Sequence, residues 1–241
     1  VGIILSYTRA AWVSIAAAMA LGVIMWLGVR LKTLLTIGVL GLGFVWFAQD
    51  DLLIFLERNE QDSSDDIAEH VESISNVSSD ASNLERLNRW NCALALWEER
   101  PVFGWGPGTY QFVYAPYQRS QDLTIISTNN ADGGNAHSEY LGPLAEQGVI
   151  GSLNFFALLL VVCSVAFRLF REVKDPEVKL LVLGVYLGLM TYFIHAVLNN
   201  YLDTDKASAP FWGFIAMLVA IDLWHKAHRD SKDELEKSAA Q

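Results

Sequence analysis

The sequence predicts an all-α integral membrane protein with five membrane helices, and three observations lead there. Hydrophobic residues make up 52% of the 241-residue chain, and the mean hydropathy is +0.27. The charges are segregated from the apolar runs: residues 10–29, 33–49, 149–167 and 180–202 contain no Asp, Glu, Lys or Arg. Each run approaches the ~20 residues with which a helix crosses roughly 30 Å of hydrocarbon. Residues 207–221 are shorter, and Leu223 and Trp224 extend them past Asp222. Lipid offers the backbone no hydrogen bonds, so such segments must be helical.

Taken in order, residues 1–49 form an outer-end turn and two membrane helices. Residues 50–147 form a long loop, 148–224 three more membrane helices, and 225–241 a tail. Val1 to Leu5 reads as the end of a preceding helix, and the sequence as the C-terminal part of a larger protein. Arg30 and Lys32 mark the first tight connection. Arg168, Arg171, Lys174 and Lys179 mark the next on that side, and Lys226, Arg229 and Lys232 follow the last helix. Basic residues near helix ends stay cytoplasmic, so the long loop, the start of the first helix and the 199–206 connection face outward. The net charge of −10 disfavours a nucleic-acid partner. Cys92 and Cys163 match neither a disulfide nor a zinc spacing.

Within the long loop, residues 57–80 are rich in Ser, Asp and Glu and are expected to be flexible. Ser82 and Glu85 match a capping box. Leu87, Trp90, Leu94 and Trp97 then recur at helical spacing until Pro101. This predicts an amphipathic helix from about residue 83 to 100, lying against the membrane or the other helices. Arg86 sits on the margin of the apolar stripe, where it can be buried against a ligand, and Arg89 points further towards solvent. Gly104, Gly106 and Gly108 suit a tight turn better than a phosphate cradle, which would carry a lysine and feed a helix. At the outer ends of the membrane helices lie Arg9, with Thr8 as a possible N-cap, together with His137, His195, Asp203 and Asp205. His137 either ends a loop or acts as a base at the membrane surface. Arg9 either reaches the headgroups or holds a ligand. His195 reads as a helix-end hydrogen-bonder, and Tyr140 and Glu146 as residues that orient the helix entry.

Three stretches resemble motifs of the O-antigen ligase and O-antigen polymerase superfamily: "SYTRAAWVSI", "ERLNRWNCALALWEERPVFGWGPGTYQF" and "AHSEYLGPLAEQGVIG". The resemblance implies a multi-helix, GT-C-like membrane fold in the bacterial inner membrane, with the long loop in the periplasm. It implies a glycosyltransferase that moves a glycan from an undecaprenyl diphosphate carrier to an acceptor hydroxyl, on lipid A-core or another glycan, with no cofactor and no metal. By the same resemblance Arg9 and Arg86 hold the diphosphate and His137 is the catalytic base. Ser138 departs from the Asn that often follows the family's histidine. The chemistry is sensible in itself, because a planar guanidinium matches phosphate oxygens and keeps its charge. Imidazole, for its part, titrates near neutrality. Alternatives are a polymerase of the same superfamily and a transporter of lipid-linked sugars. A transporter often shows repeated halves, and no repeat is visible.

Overall fold

The computed structural model describes residues 9–47, 81–120, 123, 127 and 134–239. Among these there is no β-strand. The helices are α1 (Arg9–Trp26), α2 (Leu31–Phe47), α3 (Ala81–Glu99), α4 (Tyr110–Val113), α5 (Leu141–Glu172), α6 (Pro176–His195) and α7 (Asp205–Ala239), with a 3-10 turn at Ala115–Tyr117. Thr8, the 1–5 segment and the acidic 57–80 stretch lie outside the described residues. Among the described residues, three helices are long and apolar enough to cross a membrane: α5, α6 and α7 as far as Arg229. α1 and α2 are shorter apolar helices.

α6 is the centre of the bundle and packs against α1, α5 and α7. Small residues allow the close approach. A Cβ on Gly188 would meet the Phe214 ring at 2.7 Å, and one on Gly22 would meet Leu187 at 2.8 Å. The core is apolar throughout, with Met25 of α1, Phe167 and Leu169 of α5, Val182, Leu189 and Phe193 of α6, and Phe211 of α7. Large apolar side chains also cover the outside, among them Trp12, Val23, Leu153, Leu180 and Val219. That exterior suits lipid rather than water.

The two ends of the bundle differ. At one end, Arg168 on α5 pairs with Asp222 on α7 at 2.8 Å, and Lys226 pairs with the same carboxylate at 2.9 Å. Asp175 caps α6 there by accepting from the N–H groups of Glu177 and Val178, with Pro176 in the first turn. The opposite end gathers the start of α1, the start of α5, the end of α6, the start of α7 and the covering helix α3.

α5 is broken where it enters. Gly148 has φ 65° and ψ −161°, a combination essentially confined to glycine. The backbone groups exposed by the break are taken up by the turn after α3. Val149 N–H donates to Pro101 O at 2.8 Å, Trp105 N–H to Ala145 O at 3.1 Å and Gly106 N–H to Glu146 O at 2.7 Å. Beyond the break α5 still runs about 36 Å at 1.5 Å per residue, enough to cross a bilayer.

α3 forms where the periodicity predicts it, but its polar side is the one turned inward. Glu85, Asn88, Arg89, Cys92, Ala93 and Leu96 are buried, while Leu94 is 38% exposed and Leu87, Trp90 and Trp97 are only half-buried. Cys92, Ala93 and Leu96 pack with Tyr110, Tyr114, Ala136 and Ala145 in a second, smaller core. Cys92 and Cys163 are both free thiols.

Candidate active site

The segment carrying His137 crosses the end of the bundle opposite the basic cluster and is pinned to α6 and the loop after it. Glu139 N–H donates to Ala196 O at 2.9 Å. The Glu139 carboxylate, 7% exposed, accepts from Tyr192 O–H at 2.6 Å and Leu202 N–H at 2.8 Å. Tyr140 O–H donates to Phe193 O at 2.9 Å. Ser138 Oγ accepts from the N–H groups of Tyr140 and Leu141, at 3.3 and 3.4 Å, and so starts α5. Burial pushes the Glu139 carboxyl above the usual carboxylate range, although Tyr192 and the Leu202 amide pull it back.

His137 itself has φ 48°, the left-handed region that few residues other than glycine adopt. Its N–H donates to the Asn135 side chain at 3.1 Å, and its carbonyl lies 3.5 Å from Trp90 Nε1 of α3. Backbone strain of this kind persists where the surroundings hold it, and here they hold it from both sides. Burial, then the positive charges of Arg86 and Arg89, keep the imidazole below its ordinary 6.5, with Glu85 opposing. Protonation is thereby discouraged.

Arg86 is half-buried and lies within electrostatic range of both His137 and His195. His195 closes α6, as a helix-end hydrogen-bonder should. Asn199 Nδ2 lies 3.1 Å from its Nε2, Ser14 Oγ lies 3.4 Å from its Nδ1, and Tyr201 stacks on its ring. Ser14 also bonds Ala10 O, so His195 sits against the first turn of α1. Arg9 opens that turn, and its side chain lies outside the described residues. The parts brought to one place are therefore the start of α1, Arg86 on α3, His137, and His195 on α6.

Arg89 departs from the expectation that it faces solvent. It is 6% exposed, pairs with Glu85 at 2.6 Å and stacks over the Tyr114 ring at 3.9 Å. The reason is the inward polar face of α3: the 110–117 turns and the 134–136 segment cover it. Gly134 packs so tightly there that a Cβ would lie 2.0 Å from Arg89 Nη1. Glu85 is engaged with Arg89 and with Ser127 Oγ, while the Ser82 side chain of the expected capping box lies outside the described residues.

The glycine-rich turn behaves as structure. Gly104, Gly106 and Gly108 all have positive φ. The amides a phosphate would need are taken by the protein's own carboxylate: Glu146 accepts from Gly108 N–H at 2.8 Å and Tyr110 N–H at 2.9 Å. Among the described residues, no three His, Cys, Asp or Glu side chains group as a metal site would.

The three motif-bearing stretches all fall inside one match. A family model described as O-antigen ligase covers residues 1–156. The chain belongs to the O-antigen ligase family. No curated protein and no solved structure matches it. O-antigen ligase family members are membrane glycosyltransferase-like enzymes of ligase or polymerase type that work on lipid-linked glycans and polysaccharide acceptors. In this member, groups that hold the His137 segment (the carbonyls of Phe193 and Ala196 and the Leu202 amide) lie beyond the matched stretch. Glu139 was not picked out by sequence reasoning, and Arg89 was assigned to solvent. The available signal for Glu139 was a lone carboxylate directly before an apolar helix, with no basic residue near it in sequence.

Proposed function

We propose that this O-antigen ligase family protein is an inner-membrane glycosyltransferase. It moves a glycan from undecaprenyl diphosphate to a sugar hydroxyl of lipid A-core or another glycan. α1, α2, α5, α6 and α7 all span the bilayer in this reading, the basic end is cytoplasmic and the His137 end is periplasmic. The observation that carries it is a half-buried imidazole whose protonation is disfavoured by burial first and by the neighbouring guanidinium groups of Arg86 and Arg89 second, so that base and anion site lie side by side.

The acceptor oxygen attacks the anomeric carbon as the bond from that carbon to the phosphate oxygen breaks. The bonding pair leaves with the diphosphate, and the acceptor proton passes to His137 Nδ1 or Nε2. Arg86 and Arg9 take up the charge that grows on the leaving diphosphate, the latter aided by the amide dipoles at the start of α1. No metal enters this step. A positioned base contributes about 10²–10⁴-fold, and holding two glycans together contributes further.

The test is transfer by the purified protein in lipid, with lipid-linked donor and acceptor. His137→Ala should insert and bind carrier lipid normally while losing about 10²–10⁴-fold in rate; near-normal turnover would overturn the assignment. Lys at Arg9 or Arg86 should restore little, because the bidentate geometry is lost. A ladder of repeats on the carrier, instead of one transferred glycan, would identify a polymerase using the same site.

A further inference from the structure

A cavity of about 620 Å³ borders the His137 segment. Gly134, Asn135, Ala136, Ser138 and Glu139 line it, whereas His137 and the α3 residues do not. The segment is thus a partition, with Arg86, Arg89 and Trp90 on the α3 side and the cavity on the other. The chemistry of the two sides is opposite. Among the described residues, no lysine or arginine lines the cavity. Its polar groups are amides and carboxylates, chiefly Gln111, Gln147, Asn200, Glu139 and Asp203, and Phe155 offers an aromatic surface.

Such a lining repels phosphate. It suits a neutral polyhydroxylated ligand, because a hydroxyl both donates and accepts and amides do the same. Carboxylates accept strongly from hydroxyl donors, and the apolar C–H face of a pyranose ring can rest on an aromatic ring. Asn200 Oδ1 is buried and finds no hydrogen-bond partner among the described residues, while its Nδ2 is spent on Asp203 at 3.1 Å. It is an acceptor to which a sugar hydroxyl can donate. The volume lies within the range of small-molecule sites.

We propose that this cavity is a subsite for neutral sugar units of a glycan, separated by the His137 segment from the cationic side that takes the diphosphate. The proposal rests on the reading of the protein as a lipid-linked glycan transferase. Donor and acceptor glycans share this chemistry, and the experiment tells them apart.

Gln111, on the rim at the exposed turn, is the residue to change. Among the described residues, its side chain bonds only the nearby Gly108 O, at 3.2 Å. Gln111→Trp should fill the cavity and Gln111→Ala should enlarge it. The first measurement is saturation-transfer NMR of the protein in nanodiscs. The probes are an array of neutral hexose and N-acetylhexosamine oligosaccharides with their uronate and phosphate counterparts. Neutral members should bind, acidic counterparts and the Gln111→Trp variant should bind about tenfold more weakly, and Gln111→Ala should retain binding. Failure of every neutral member, or equal binding by Gln111→Trp, overturns the proposal. The second measurement takes KM for donor and acceptor separately in Gln111→Trp. The KM that rises about tenfold names the glycan held, and a rise in neither overturns the subsite. Binding of sugar-free undecaprenyl diphosphate should not move. Saccharide binding without transfer counts against the enzymatic reading alone, whereas transfer with both KM values unchanged counts against the cavity alone.

Discussion

The proposed role of general base needs a neutral imidazole, and the surroundings of His137 disfavour its protonation. Its proton affinity is held below the ordinary 6.5 by burial first and by Arg86 and Arg89 second. Transfer should therefore be full at neutral pH and fail as pH falls through that depressed value. Arg86→Gln removes a repelling charge, so the acidic limb of kcat/KM should move to higher pH, besides any loss of donor binding. A limb that stays in place in the variant would separate Arg86 from His137. The same burial makes acid unfavourable to the fold, because the unfolded chain takes up this proton more readily. Glu139 is the second residue on which the site depends. Glu139→Gln keeps an oxygen for Tyr192 O–H and Leu202 N–H and should retain most stability. Glu139→Ala leaves buried donors unmatched, at about 1–3 kcal/mol each, and should lower both the Tm and the transfer rate. Ser138 Oγ accepts from Tyr140 and Leu141 N–H, and an Asn at this position would carry an oxygen able to do the same.

Among the elements, α3 and the break in α5 act as one unit. Gly148→Ala would force a Cβ to 2.3 Å from the Val102 carbonyl in a conformation that alone costs about 1–3 kcal/mol. It should lower the melting temperature and loosen the turn that follows α3, read out as faster hydrogen exchange at Trp105 and Gly106. Unchanged exchange there would mean that the break and the turn are independent. The position of α3 was legible in the sequence, from the spacing of Leu87 to Trp97 and the stop at Pro101. Its orientation was not. Apolar periodicity marks a face that avoids water, and here that face is left outward while Asn88 and the Glu85–Arg89 pair turn inward and meet groups far along the chain. Gln118 bonds Asn88 at 2.9 Å, and Tyr114 receives Arg89. Pairings of that kind leave no trace in local spacing. The place of Arg86 on the margin of the stripe was legible, and it is half-buried there; the roles proposed for Arg86 and His137 come from the family resemblance.

For the whole molecule, the arrangement separates a basic end from a site end across three long apolar helices. Cysteine introduced at exposed Tyr201 should react with a membrane-impermeant reagent applied to intact cells. Cysteine at exposed Lys174 should react only after permeabilisation; the reverse pattern would invert the proposed topology. The native cysteines add little background, since one is fully buried and the other lies within α5. The packing of α6 against three neighbours also fixes an order in time. Tyr140 is held by a carbonyl 53 residues further on and Glu139 by an amide 63 residues further on. At about 5–20 residues per second, the ribosome is several seconds past the histidine before those groups exist. A nascent chain thus emerges with the His137 segment unanchored until its later helices are inserted, and in the proposed function a prematurely released fragment has no assembled centre with which to hydrolyse carrier lipid.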